Sequence, residues 1–192
     1  MQACRITARD LACRRGDRVL FRALSLDLEP GAIVQVSGSN GIGKSSLLRI
    51  LAGLLAPMHG TIERDGAVGL LDERPALDPH LPLGSALAFW QRLDRHDEPP
   101  LERLGLAELT DVPVRYLSTG QRKRAALARL IGQRAPIWLL DEPLNGLDGA
   151  AVGMVEALVA EHCAGGGLCV VASHQPFAAP ALRPLALRDF TP

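Results

Sequence analysis

The sequence predicts an α/β fold in which strands and helices alternate around a largely parallel sheet, with ligands bound at the strands' carboxyl ends. Two observations carry this expectation. An apolar run at 32–36 leads straight into a glycine-rich loop, Gly38-Ser-Asn-Gly-Ile-Gly-Lys44-Ser45, and then into a segment with helical spacing of apolar residues. A second apolar run at 137–141 ends in adjacent carboxylates, Asp141 and Glu142, and is followed by a helix pattern at 150–163 and another strand pattern at 168–172. Short buried strands separated by amphipathic helices are what crossover connections in a parallel sheet require.

Taken in order, residues 4–37 read as short β runs. Arg18-Val-Leu-Phe21 and Leu24-Ser-Leu-Asp-Leu28 alternate, and Glu29-Pro-Gly31 supplies a turn. The helix after the glycine loop is expected over 45–52, with Gly53 helping to end it. Residues 61–63 and 68–71 read as further strands. From 72 to 116 the texture changes: Pro, Asp and Glu are frequent, and helical patches are expected at 83–92 and 101–109. Residues 120–133 form a strongly basic helix candidate.

A chain of 192 residues suits one domain with a real core. Formal net charge is zero and no long run of one sign occurs, which argues against a dedicated nucleic-acid binder. The basic trio Arg122-Lys123-Arg124 reads more simply as a solvated helix face. Only Lys44 and Lys123 are lysines; arginine takes every other basic position. Retention of Lys44 in the glycine loop is informative against that bias, because a compact ammonium fits between phosphate oxygens where a guanidinium does not. Cys4, Cys13, Cys163 and Cys169 form no C-x-x-C pair, so buried free thiols are expected rather than a disulfide framework or zinc site. The first residues lack an apolar signal core, no stretch approaches a membrane span, and a cytosolic chain is expected unless something tethers it.

The glycine loop has the form G-x-x-x-x-G-K-[ST] between strand and helix, the context a phosphate-binding loop needs. Gly38, Ser39, Asn40, Gly41, Ile42, Gly43, Lys44, Ser45 and Ser46 are therefore the candidate nucleotide contacts. Lys44 is expected on the β- and γ-phosphates and the Ser45 hydroxyl on Mg²⁺. Asp141 is the candidate second magnesium ligand, and Glu142 the general base that polarises the attacking water. Taken without the loop, Asp141 and Glu142 would read as a capping or solvated acidic pair.

The third segment is Leu117-Ser-Thr-Gly120-Gln121. In fixed order with the other two, it resembles the signature of ATP-binding subunits of ABC transporters. The resemblance implies a P-loop NTPase of ABC ATPase fold: a RecA-like core, an antiparallel β subdomain and a short helical insertion near 72–116, all in one nucleotide-binding domain over 1–192. It also implies ATP with Mg²⁺ and a homodimer formed on ATP, in which Ser118, Gly120 and Gln121 contact the other copy's nucleotide. Read from the residues alone, Ser118 before a basic helix is simply an N-cap, and both readings hold together. By the same resemblance Leu144-Asn-Gly-Leu-Asp148 is the D-loop and His174 the switch histidine at the γ-phosphate. His59, His80, His96 and His162 have no matching role and are expected at the surface or in packing.

Within that superfamily the chain is most similar to the ATP-binding subunits of the haem exporter of cytochrome c maturation. Gly38-Ser-Asn-Gly41, Arg15 at the adenine position and His174-Gln-Pro176 carry the likeness. It implies a peripheral protein on the cytoplasmic face of the inner membrane, integral membrane partner subunits, no nucleic acid, and ATP hydrolysis linked to release of haem-loaded chaperone. Two departures stand out. Arg15 replaces the aromatic residue that stacks on adenine in many members, offering its guanidinium plane instead. Arg74, in Leu71-Asp-Glu-Arg-Pro75, stands where a metal-contacting glutamine is usual; a cation facing the metal there would slow hydrolysis or alter its coupling. The competing readings are the ATPase of another small exporter, a soluble ABC ATPase working on DNA or ribosomes, and a regulatory module without turnover.

Overall fold

The computed structural model describes residues 4–94 and 100–192. In chain order its elements are β1 (Arg5–Arg15), β2 (Arg18–Leu28), β3 (Ile33–Ser37), α1 (Lys44–Leu51), β4 (His59–Asp65), β5 (Val68–Leu71), α2 (Leu83–Asp94), α3 (Thr119–Gly132), β6 (Ile137–Asp141), α4 (Gly149–Ala164), β7 (Leu168–Ala172) and β8 (Arg183–Ala186). They form an antiparallel sheet ordered β2-β1-β4 and a five-stranded sheet ordered β5-β6-β7-β3-β8. Every pairing in the second sheet is parallel.

The parallel sheet is buried on both faces, which is why its strands read as continuous apolar runs. On β6, Ile137 and Leu139 face one core while Trp138 and Leu140 face the other. Leu168, Val170 and Ala172 of β7 alternate likewise with Cys169 and Val171. One core joins the sheet to α1 and the antiparallel strands through Phe21, Leu24, Leu47, Leu48 and Leu51. The other joins it to α2, α3 and α4 through Leu87, Leu127, Leu130, Val155 and Val159. All four cysteines are buried and free.

The short β runs of the first segment merge into two eleven-residue strands. Asp10, with φ +51°, absorbs the register shift between the Ala8–Leu26 and Leu11–Leu24 pairs as a bulge, and Ala23, with φ +55°, the opposite shift between Leu11–Leu24 and Cys13–Phe21. The helical patch expected at 101–109 is corrected: residues 101–105 are turns, and only Ala107–Leu109 coil, as a 3₁₀ turn. Arg124 takes the carbonyls of Leu104 (2.8 Å) and Gly105 (3.3 Å), so the carbonyls that a helix would use are satisfied from α3 instead. The solvated reading of the basic trio is corrected for the same reason, since Lys123 and Arg124 are half-buried against carbonyl oxygens. Strand β8 and the 3₁₀ turn Leu187–Phe190 were not expected. Pro184 and partial burial mark β8 as an edge strand beside β3, a place where periodicity is weak.

Two glycines give the packing a test. Gly60 has φ +90°, and a Cβ there would strike the carbonyl oxygens of Arg9 and Asp10 on β1. Gly153 lies mid-helix in α4 with open space around it. In urea unfolding, Gly60→Ala is expected to lose on the order of 3 kcal/mol. Gly153→Ala is expected to gain about 0.5–1 kcal/mol from helix propensity.

Candidate active site at the carboxyl edge of the parallel sheet

Strands β3, β6 and β7 run parallel and in register, with Val36 and Asp141 both paired to Ala172 of β7. The segments that follow them must therefore emerge at one edge. After β3 comes the glycine loop, after β6 the residue Glu142, and after β7 Ser173 and His174. The glycine loop, Glu142 and His174 line one cleft of about 550 Å³.

The loop's path depends on positive φ at Gly38, Gly41 and Gly43 (+149°, +76° and +123°). Gly43 also lies so close to Leu20 and Phe21 of β2 that a Cβ would sit 3.2–3.3 Å from their side chains. This geometry delivers the chain into α1, whose first residue, Lys44, turns its side chain back under the loop. The Lys44 ammonium, 6% exposed, donates to the Gly38 carbonyl at 2.9 Å and lies 3.3 Å from Glu142 Oε1. Glu142 Oε2 is 2.9 Å from His174 Nδ1. A single carboxylate thus bridges the loop lysine and the histidine beyond β7.

Glu142 has φ +46°, a left-handed backbone that costs a non-glycine residue about 1–2 kcal/mol. Its N–H donates to the Ala172 carbonyl at 2.8 Å, and its carbonyl accepts from Lys123 Nζ at 2.9 Å. These two bonds hold the strained residue between β7 and α3.

Asp141 is 7% exposed, and its Oδ1 has no hydrogen-bond partner. Burial pushes its carboxyl up from the usual range, opposed by a hydrogen bond from Ser45. An orphaned buried carboxylate oxygen beside a hydroxyl is a hard-oxygen donor set that suits a magnesium ion. Among the described residues no cluster of three or more His, Cys, Asp or Glu side chains could hold a metal without help from a ligand.

Arg15, Asn40, Gly41, Gly43, Lys44, Ser45, Ser46, Glu142 and His174 all line this one cleft. Gly38, Ser39 and Ile42 shape the loop: Ile42 N–H donates to the Ser39 carbonyl, and the Ile42 side chain packs over Gly38. Ser118, Gly120 and Gln121 do not line it. They begin α3, where Ser118 Oγ accepts from Gln121 N–H (3.2 Å) and Gln121 Oε1 accepts from Ser118 N–H (2.7 Å), a complete capping box.

Arg18, Leu20, Glu73, Asn145 and Lys123 stand at the cleft but are not among the site residues the sequence points to. Glu73 and Asn145 line the cleft; Lys123 backs it through Glu142. Asn145 accepts from Gln175 Nε2 at 3.2 Å, tying the turn after β6 to the turn after β7. Arg74 faces elsewhere. It lines a separate groove with Leu70, Ala76 and Arg129, while its N–H closes a turn on Asp72 Oδ1. Among the remaining histidines, His59 pairs with Asp10 at the surface and His80 with Arg115. His162 stacks on Trp138 with ring centroids 3.9 Å apart, and burial lowers its pKa. His96 lies outside the described residues.

Comparison with known proteins agrees with this geometry. Residues 21–145 match the model of the ABC transporter family. The chain is 62% identical, over the full length of both, to the cytochrome c biogenesis ATP-binding export protein CcmA of Novosphingobium aromaticivorans. It is 48% identical to the protein of the same name from Zymomonas mobilis, over 97% of this chain and 86% of that one. In fold it resembles a Pyrococcus furiosus protein described as an ABC transporter ATP-binding protein, with TM-score 0.83 and 21% identity over 98% of this chain and all of that one. With its phosphate loop, its carboxylate pair and these relatives, the chain belongs to the ABC transporter ATP-binding family and, within it, to the cytochrome c biogenesis ATP-binding export proteins.

Proposed function

We propose that the chain hydrolyses ATP to drive the haem exporter of cytochrome c maturation, working at the release of haem-loaded chaperone. The whole chain serves as one nucleotide-binding unit, with 72–116 as a short helical insertion. The observation that carries the hydrolytic reading is the Glu142 carboxylate held between Lys44 and His174 at the mouth of the phosphate cleft.

In this reading the backbone amides of the glycine loop and the N-terminus of α1 receive the phosphates. Arg15 lies at the cleft edge for the adenine. Arriving phosphate oxygens compete with Glu142 for the Lys44 ammonium, which frees the carboxylate to accept a proton from water. The water oxygen then bonds to the γ-phosphorus as the bond to the ADP oxygen breaks, and His174 steadies the carboxylate and the terminal phosphate. Ser45 and Asp141 would hold Mg²⁺, which supplies charge neutralisation at the phosphates.

Ser118, Gly120 and Gln121 sit outside their own cleft, which supports an ATP-dependent homodimer in which each copy completes the other's site. No helix among the described residues is long and apolar enough to cross a membrane, so export requires integral membrane subunits. We place the chain at the cytoplasmic face of the inner membrane, bound peripherally to them, with no role for nucleic acid.

Glu142→Gln is expected to cut ATP turnover by about 10²–10⁴-fold while leaving nucleotide binding intact and trapping an ATP-bound dimer, read by light scattering. Purification from native membranes in mild detergent is expected to bring small multi-span proteins and a haem chaperone with the chain; another membrane protein would discard haem and keep the ATPase. Arg74→Gln is expected to leave turnover and the KM for MgATP unchanged, because its side chain does not face the cleft.

Asp141 gives a pH-linked test. Its folded pKa is raised by burial, so its favourable contribution is present below the unfolded value and is lost as pH rises through the folded one. Above the folded pKa the ionised carboxylate, with Oδ1 left without a partner, costs stability. Asp141→Asn is expected to raise the melting temperature of the nucleotide-free chain by about 2–4 °C at alkaline pH, with the gain disappearing as pH falls, and to abolish the extra stabilisation that Mg²⁺ gives with ATP.

A further inference from the structure

Of twenty-one basic side chains only Lys44 and Lys123 are lysine, and both touch the same residue. Lys44 meets the Glu142 carboxylate at 3.3 Å, and Lys123 meets the Glu142 carbonyl at 2.9 Å. We infer that Lys123 is a positioning residue for Glu142, fixing the strained backbone that aims the carboxylate and tying that aim to helix α3. The inference rests on the hydrolytic reading of Glu142 given above.

The backbone at Glu142 needs an outside hold. Its φ is +46°, and the next residue, Pro143, has no N–H with which to continue the sheet ladder. Among the described residues its carbonyl has one other donor, Asn145 N–H, at a long 3.4 Å. The Lys123 ammonium is therefore the short bond on that carbonyl. Rotation of this peptide would swing the Glu142 side chain away from Lys44 and His174.

Lys123 is itself half-buried, and its surroundings suit a cation. Burial lowers its pKa, while the carboxylates of Asp141, Glu73, Glu142 and Asp72 oppose that loss. It also stands five residues into the helix-capping segment that begins at Ser118. A shift of α3 along its axis moves the Lys123 donor relative to the Glu142 carbonyl. The N-terminus of α3 is the part proposed to contact the second copy's ATP. Occupancy of one nucleotide site is thus mechanically linked to the aim of the general base in the other.

The test is a double-mutant cycle on the transporter complex, with single-turnover ATP hydrolysis and KM for MgATP as separate readouts. Lys123→Met keeps the stem and removes the ammonium. It is expected to lower kcat by about ten- to a hundredfold with KM nearly unchanged, the scale of a misplaced catalytic group. On a Glu142→Gln background it is expected to cost nothing further, because the group it positions is gone. A wild-type kcat in Lys123→Met, a loss confined to KM, or a loss of full size again on top of Glu142→Gln would each overturn the inference. Should Lys123→Met not fold, Lys123→Gln, a shorter donor, goes through the same cycle. Full activity of Glu142→Gln alone would instead bring down the hydrolytic reading itself, so the two failures are told apart.

Discussion

The parallel register of β3, β6 and β7 is the constraint on which the site depends. Because Val36 and Asp141 both align with Ala172, three chain segments far apart in sequence leave the sheet at one height. The glycine loop, Glu142 and His174 converge for that reason, and no long-range side-chain contact is needed to gather them. Register in turn is fixed by burial on both faces. A one-residue slip of β6 would exchange Trp138 and Leu140 with Ile137 and Leu139 between two cores of different shape.

That arrangement also explains how charge survives inside the cleft. Lys44, Asp141 and Glu142 are all largely withdrawn from solvent. Lys44 is satisfied by the Gly38 carbonyl and Glu142, and Glu142 is shared with His174. Asp141 alone keeps an unpartnered oxygen. A carboxylate left wanting in an otherwise paired cluster is held ready for a ligand rather than for the fold.

Much of this was legible in the sequence. Strands β6 and β7 are legible at their observed bounds because five buried residues in a row between turn residues leave little else to choose, and β5 because its short apolar run sits between turn residues. The glycine loop brings Asn40, Gly41, Gly43, Lys44 and Ser45 to the cleft because the motif fixes the backbone as well as the side chains. What escaped depended on neighbours that spacing does not reveal. The turns at 101–105 follow from Arg124 reaching across from α3, and β8 follows from an edge position offered by β3. Lys123 looked like one charge on a solvated face until its carbonyl partner came into view. Arg74 stands at the position the resemblance drew attention to, but the turn closed on Asp72 sends its side chain to another groove and leaves Glu73 at the cleft.

The capping box at the start of α3 has a consequence for assembly. With Ser118 and Gln121 already locked to each other's backbone, this turn is ordered within a single copy. A partner meeting it finds a rigid surface, and the entropy of freezing a loop is not charged against association. The Ser118 hydroxyl also accepts in the cap, so its own proton is left over to give away. The same hydroxyl that caps the start of α3 thus keeps a proton to donate before anything arrives.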